Sequence, residues 1–214
     1  MKTRKPQRGR PKADPDIQRS NILKATTEVL LQSGYQKATT LSIANACGIS
    51  KNTLYNHFPS KEALFIALIE NRATAMNDLL ATALQDVTLD LADVLRQFGR
   101  LVLGVLTSDV SVAINRACMT AAGSGDIALS NAYFDFGQMP VRQKLVAVLK
   151  RARREEIIDF DDVNEPFQTL LGLYNGDLHV RRLLGVASVP AENKIEEKAS
   201  KAVEKFMKLF KPHG

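Results

Sequence analysis

Hydrogen-bonding side chains without negative charge fill most of the segment from Ser50 to His57. Lysine, asparagine, threonine and tyrosine side chains on one helix face can hydrogen-bond to base edges and phosphates when the helix lies in the major groove of DNA. Leu54 and Phe58 lie four residues apart and share one face of a helix, which suits packing. The pattern predicts a short helix that contacts DNA on one side. A helical hairpin with an ordinary solvated face is the alternative.

Side chains for other chemistry are sparse and scattered. Cys47 and Cys118 show no zinc-ligand spacing, and the three histidines are His57, His179 and His213. The sequence contains no nucleophile elbow and no phosphate-binding loop. We therefore expect no enzyme, no metal and no cofactor. Cys118 is expected to be a buried apolar side chain, with a redox-sensing thiol as the alternative.

Positive charge is concentrated at the N-terminus. The net charge is +6 at pH 7, and no acidic residue precedes Asp14. Because residues 1–14 also lack apolar periodicity, we expect them to form a disordered basic arm. Such an arm indicates local contact with a polyanion, and a solubilising tail is the alternative. Its six cationic side chains are Lys2, Arg4, Lys5, Arg8, Arg10 and Lys12.

Apolar residues recur at helical spacing along the rest of the chain, and strand alternation is absent, so we predict an all-α fold. Gly34 should end the first helix, Pro140 should break the chain between two helices, and Pro166 should lie in a first helical turn. The helices are expected near residues 16–33, 40–47, 51–57, 61–85, 89–106, 109–121, 126–137, 140–155, 164–186 and 192–210.

The segment 38–57 should be a helix-turn-helix. Thr40 and Ser50 are expected to cap its two short helices by accepting hydrogen bonds from free backbone amides. Gly48 suits the positive φ of the tight turn between them, and Ala44 is small where the helices would cross. We expect Ser60 to cap the longer helix that follows.

The run from Ile49 to Leu64 closely resembles the signature of the tetracycline-repressor (TetR/AcrR) family. The similarity extends over about residues 17–70. It implies an N-terminal three-helix DNA-binding domain at 15–74 and a larger helical dimerisation and ligand-binding domain at 75–214. It also implies phosphate contacts at helix starts and base contacts from the second helix. The implied DNA-contacting residues are Thr40, Ser50, Lys51, Asn52, Thr53, Tyr55, His57 and Lys61, with Asn56 at a position that varies in the family.

In this context the arm has a further resemblance. The stretch from Pro6 to Pro11 is similar to an AT-hook core, in which Arg8 and Arg10 would enter a narrow minor groove on either side of Gly9. The arm would then lie beside a major-groove reader, as in homeodomains.

The C-terminal part resembles an AefR-like subgroup over residues 115–134, 141–149 and 172–178. This resemblance implies a homodimer through helices near 140–155 and 164–186, and a cavity for a small-molecule effector. His179 with Asp177 and Arg181 could sense that effector, and an ion pair between Asp177 and Arg181 is the alternative. The candidate cavity residues, for which core packing is the alternative, are Phe98, Leu101, Met119, Phe134, Phe136, Met139 and Tyr174.

Together these features predict a sequence-specific transcriptional regulator. We expect a ligand-responsive repressor that binds a palindromic operator in double-stranded DNA as a homodimer. The alternatives are an activator of the same fold and an architectural protein that binds DNA without regard to sequence. With no signal peptide and no apolar run of roughly 20 residues, we expect a cytoplasmic protein without membrane contact.

Overall fold

The computed structural model describes residues 14–86 and 88–212, and every regular element in them is helical. This confirms the all-α prediction. The predicted basic arm, including Arg8 and Arg10, lies outside the described residues. The elements are α1 (Pro15–Lys37), α2 (Thr40–Cys47), α3 (Lys51–His57), α4 (Lys61–Gln85), α5 (Leu91–Thr107), α6 (Asp109–Gly123), α7 (Ala128–Ala132), a π-helical turn (Tyr133–Gln138), α8 (Met139–Arg154), α9 (Asn164–Asn175), α10 (Leu178–Leu183) and α11 (Glu192–Leu209).

Glycines interrupt the helices at two places. Gly34 has φ 73° and ψ 166°, so the first helix breaks there, as predicted, before a last turn that reaches Lys37. Gly176 has φ 51° and separates α9 from α10. The prediction of one continuous helix over 164–186 was therefore wrong. A residue with positive φ cannot continue a right-handed helix, and glycine adopts that conformation at little cost.

The predicted break at Pro140 was also wrong. The π-helical turn leads directly into α8, and Pro140 lies in the first turn of α8 without ending the helical path. Gly137 lies in the π turn against α4. A Cβ atom at Gly137 would come within 2.8 Å of Ile69 Cγ2, so glycine permits this close approach.

Two clusters of buried apolar residues hold the helices together. The first, which we call the head core, joins α1, α2, α3 and the start of α4, and includes Ile22, Leu54 and Phe65. The second, the body core, joins the rest of α4 to α5, α8, α9 and α11. Helix α6 contributes to the head core through Val110, Ile114 and Cys118. Burial raises the pKa of the Cys118 thiol, as expected of a side chain that packs as an apolar group.

Helices α5 and α9 cross closely in the body core. The Tyr174 ring is fully buried and packs against Gly99, where a Cβ atom would lie 2.4 Å from Tyr174 Cε1. The Tyr174 hydroxyl donates a hydrogen bond to the Leu95 carbonyl oxygen at 2.6 Å. Burial raises the pKa of Tyr174. Tyr174 therefore fixes a helix crossing.

Arg182 on α10 stabilises the turn between α5 and α6. Arg182 donates from Nε to the Thr107 carbonyl oxygen at 2.8 Å, and its Nη2 pairs with Asp109 Oδ1 at 2.5 Å. Arg182 is 8% exposed, and these bonds satisfy a charge that would otherwise be costly to bury. We call residues 106–111 the α5–α6 corner.

One further property of the helices concerns membranes. No single helix in the described ranges is long and apolar enough to cross a membrane. Helices α5 and α6 would pass that test only as a pair, with a bend of 59° between them.

Candidate nucleic-acid interface and effector cavity

Helix α2 begins with a reciprocal cap. The Ser42 amide donates to Thr39 Oγ1 at 3.1 Å, and the Thr39 amide donates to Ser42 Oγ at 3.0 Å. The cap is therefore Thr39, and the prediction that Thr40 caps this helix was wrong. The spacing of Thr39 and Ser42 is the signal that sequence reasoning missed, because it allows two side chains to satisfy two free amides reciprocally.

Replacing Thr39 by alanine should lower the free energy of unfolding by about 1 kcal/mol, because the start of α2 would lose its side-chain acceptor. The Thr40→Ala variant is the matched control, and should change it by less than about 0.5 kcal/mol because Thr40 is not the cap. Urea denaturation at one fixed protein concentration measures both. Equal losses from the two variants would contradict the assignment of Thr39 as the cap.

The turn and helix α3 follow the prediction. Gly48 has φ 66° and ψ 30°, the left-handed conformation that ends α2. Ser50 caps α3 by accepting a hydrogen bond from the Thr53 amide at 3.0 Å. Leu54 and Phe58 are 0% and 2% exposed, which confirms that they are packing residues. Burial of this face fixes which side of α3 points away from the protein.

The opposite face of α3 is open. Lys51, Asn52, Tyr55 and Asn56 are exposed, and their spacing along the helix places them on one side. Lys51 Nζ lies 5.6 Å from the centre of the Tyr55 ring. Thr53 is half-buried, with its hydroxyl 2.8 Å from Ser50 Oγ. The exposed side of α3 can therefore contact a nucleic acid without any change in the fold.

A contact between hydroxyl groups links the two helices of the hairpin. Thr40 Oγ1 and Tyr55 Oη are 3.3 Å apart, and both side chains are accessible to solvent. The start of α2 and the open face of α3 thus form one continuous polar surface. We call it the reading surface, comprising Thr40, Ser50, Lys51, Asn52, Thr53, Tyr55 and Asn56.

His57 and Lys61 lie at the edge of the reading surface and contact α1. His57 Nε2 is 3.1 Å from Gln18 Oε1. Lys61 Nζ donates to the Tyr35 carbonyl oxygen at 2.6 Å and lies 4.0 Å from the centre of the Tyr35 ring. Burial lowers the pKa of Lys61. Sequence reasoning missed these links, since nothing local in the sequence pairs α1 with α3 or α4.

Charge around the reading surface favours an anionic partner. Residues 29–61 contain no aspartate or glutamate, whereas Lys37, Lys51 and Lys61 lie within that range. Cations on a surface whose own residues include no carboxylate attract phosphate groups.

A cavity of about 480 Å³ lies between α4, α5, α6, α8 and α9. Phe98, Phe134 and Met139, which were predicted to contact a ligand, line it. Phe134 and Met139 are exposed, so the cavity opens to solvent beside the π-helical turn. The other predicted cavity residues lie elsewhere: Tyr174 and Leu101 pack in or against the body core, and Met119 and Phe136 are exposed without lining the cavity.

The polar cluster near the end of α9 divides into two parts. Arg181 Nη1 and Asp177 Oδ2 lie 3.7 Å apart at the surface, as the ion-pair alternative predicted. His179 instead lines the cavity, with its Nδ1 atom 2.9 Å from the Leu106 carbonyl oxygen.

Both halves of the chain match known protein families. Residues 22–68 match the family described as bacterial regulatory proteins, tetR family, and residues 93–212 match the C-terminal domain of the AefR-like transcriptional repressors. The HTH-type transcriptional regulator UidR of Escherichia coli (strain K12) is 45% identical over 51 residues, which are 24% of this chain and 26% of that protein. The match therefore spans only about a quarter of that relative.

Solved structures match nearly the whole chain. A TetR transcriptional regulator from Agrobacterium tumefaciens is 28% identical, with 90% of this chain and 94% of that chain covered at a TM-score of 0.69. The flavonoid-responsive regulator FrrA is 27% identical, with 93% and 100% covered at a TM-score of 0.65. The chain therefore belongs to the TetR family: it is a DNA-binding transcriptional regulator and not an enzyme, with a helix-turn-helix at its N-terminal end and an AefR-like C-terminal domain.

Proposed function

We propose that this regulator is a ligand-responsive repressor that binds a palindromic operator as a homodimer. The observation that carries the proposal is the acid-free reading surface, held outward by the burial of Leu54 and Phe58. The description of the matching C-terminal family as transcriptional repressors supports repression. A repressor of this kind would block access to a promoter until its ligand reduces its affinity for DNA.

The reading surface divides by chemistry into base and phosphate contacts. Lys51 and Asn52 are exposed at the start of α3, where the first residues of a recognition helix approach base edges. We propose base contacts for Lys51, Asn52 and Thr53, and phosphate contacts for Thr40, Ser50, Tyr55, His57 and Lys61. Asn56 is exposed beside Tyr55 and would lie against the DNA backbone.

Dimerisation would place two reading surfaces on one face of the DNA. Two half-sites one helical turn apart need recognition helices separated by roughly 34–36 Å. Within the predicted interface region 164–186, Val180, Leu184 and Val186 are 53%, 72% and 66% exposed. The open side of α8 carries Lys150, Arg153 and Arg154. Since apolar surface favours association, we propose that α10 and the segment after it contribute more to the dimer than α8.

A small-molecule effector would occupy the cavity between α4 and α9. Its volume of about 480 Å³ falls within the usual range of ligand cavities, about 300–1,000 Å³. The similarity to FrrA, whose name calls it flavonoid-responsive, supports a response to a small organic molecule. Helix α4 begins in the head core and also lines this cavity. A ligand in the cavity would therefore contact a helix that packs against the DNA-binding helices.

The test is selection of bound sequences from a random duplex library by the purified full-length chain at near-physiological salt. Enrichment of a palindrome with half-sites about one helical turn apart would support an operator-binding dimer. Binding that follows salt concentration without enriching any sequence would contradict the proposal and favour the architectural alternative. A reporter placed behind the selected operator would separate repression from activation.

Deleting residues 1–12 should lower operator affinity and flatten its salt dependence. Each lost phosphate contact removes about 0.9 from the slope of log affinity against log salt concentration, and the deleted segment holds six basic residues. Fluorescence anisotropy over a range of salt concentrations measures the slope, with intact protein as the reference. An unchanged slope would identify the arm as a tail without DNA contact.

A further inference from the structure

The wall of the effector cavity carries an unbalanced positive charge. Its basic residues are Arg72, Arg142 and His179, and no aspartate or glutamate is among the residues that line it. The remaining lining residues are neutral, and most are apolar. A largely apolar cavity with cations and no acid in its wall favours an anion over a neutral molecule or a cation.

Arg72, on α4, is one of these cations. It extends from α4 to the α5–α6 corner, where its Nη2 donates to Ser108 Oγ at 2.5 Å and its Nε donates to Ser111 Oγ at 3.3 Å. Both partners are neutral hydroxyls. Across residues 14–86 and 88–212, no carboxylate oxygen lies within 4.0 Å of its guanidinium.

The protein therefore holds a partly buried charge without a counter-ion. Burial lowers the pKa of the Arg72 guanidinium, yet arginine remains protonated in proteins. An uncompensated charge away from water is unfavourable unless something of opposite sign reaches it. Arg182, on the other side of the same corner, shows the contrast, because it is buried and paired with Asp109.

Arg142 provides a second cation with neutral partners. Its Nη2 atom donates to Asn164 Oδ1 at 2.7 Å, and its guanidinium lies 4.3 Å from the centre of the Phe167 ring. Phe167 belongs to the apolar part of the wall, which would accommodate the body of a ligand. That apolar part includes Met76, Phe98, Val102, Met139, Phe167 and Leu171.

We propose that the cavity binds an amphipathic organic anion, with an acidic oxygen group paired to Arg72 and an apolar body along the Phe98 and Phe167 side of the wall. This inference rests on the proposed ligand response and names the chemical class of the ligand. An alkyl carboxylate and an acidic aromatic compound share this chemistry. The pairing is the kind of charged, bidentate hydrogen bond that an arginine guanidinium forms with a carboxylate.

The test compares each acid with the alcohol of the same body, so that only the charge differs. The probes are decanoate against decan-1-ol and 2-naphthoate against 2-naphthalenemethanol, titrated calorimetrically into the full-length protein. We expect an acid to bind about 10–100-fold more tightly than its alcohol, the range for a hydrogen bond to a charged group. The series with the larger ratio identifies an alkyl or an aromatic body.

Variants test whether Arg72 causes the preference for the acid over the alcohol. Arg72→Gln should reduce the acid-to-alcohol ratio to about one, and Arg72→Lys should retain part of it because the positive charge stays. Arg100→Gln is the control, since Arg100 is a surface residue paired with Glu196 and does not line the cavity. A thermal melt would reveal whether Arg72→Gln folds. If it does not, the acid-to-alcohol affinity ratios of the unmodified protein and of Arg72→Lys still test the charge preference.

Three results would overturn the inference: equal binding of acid and alcohol, an acid preference unchanged by Arg72→Gln, or no binding of either acid at millimolar concentration. Operator selection without ligand is a separate measurement. An operator-binding protein with no acid preference would refute the ligand class and leave the regulator proposal standing. Acid preference without operator enrichment would support the ligand class and contradict the proposal that the protein binds an operator.

Discussion

Replacing Asn52 by alanine should reduce operator affinity by roughly 30-fold or more and change which bases are preferred. Asn52 is exposed in the first turn of α3, on the side opposite the buried Leu54. An amide side chain there can make a paired contact to one base, worth about 1–3 kcal/mol. A symmetric dimer would lose that contact in both half-sites, or about 2–6 kcal/mol in all.

Titration against the selected operator and against versions substituted at each position measures this effect. Asn193→Ala is a matched control, because Asn193 is an exposed asparagine on α11, far along the chain from the reading surface. Two results would count against a base-reading role. One is normal operator affinity in Asn52→Ala, and the other is an equal loss on every duplex, which would make Asn52 a phosphate contact.

Replacing Gly99 by alanine should destabilise the protein by about 1–3 kcal/mol, although alanine is the better helix former. The new methyl carbon would lie 2.4 Å from Tyr174 Cε1 and 2.8 Å from Cζ. The Tyr174 ring cannot simply turn aside, since it is fully buried and its hydroxyl is bonded to the Leu95 carbonyl oxygen. Helix α5 or α9 would have to shift, at the cost of packing in the body core.

Gly104→Ala in the same helix is the control. Nothing lies within 4 Å of a Cβ atom at Gly104, so alanine there should stabilise the helix by about 0.5–1 kcal/mol. The penalty of Gly99→Ala should disappear in a Tyr174→Leu background, because the ring that causes it is gone. Urea denaturation at one protein concentration measures all five proteins: the unmodified chain, the three single variants and the double variant. A penalty that persists without the ring would refute this explanation.

Local signals in the sequence predicted much of the fold and, within the helix-turn-helix, the turn, the cap of α3 and its packing face. Apolar spacing gave helices with nearly the observed bounds, and Gly48, Ser50, Leu54 and Phe58 behave as the pattern predicted. These successes share a cause. Each depends on hydrogen bonds or helix periodicity within a few residues, which the sequence displays directly.

The errors and omissions depend on packing between distant segments. Helical periodicity identifies apolar residues but not whether they fill a core or line a cavity, which is why Tyr174 and Met119 were cavity candidates with core packing as the alternative. Arg72 was overlooked because a charged residue within a helix usually faces solvent. Its importance depends on Ser108, which is far away in sequence and reaches it only through the packing of α4 against α5.

The contribution of α6 to the head core limits how far this regulator can be treated as two interchangeable parts. Val110, Ile114 and Cys118 complete the packing of the DNA-binding helices, although they come after the whole N-terminal domain in the chain. A chimaera that joins another protein's DNA-binding domain to this body at residue 74 would therefore place foreign side chains against these three. Exchange of operator specificity between relatives would then succeed only when this face of α6 is exchanged as well.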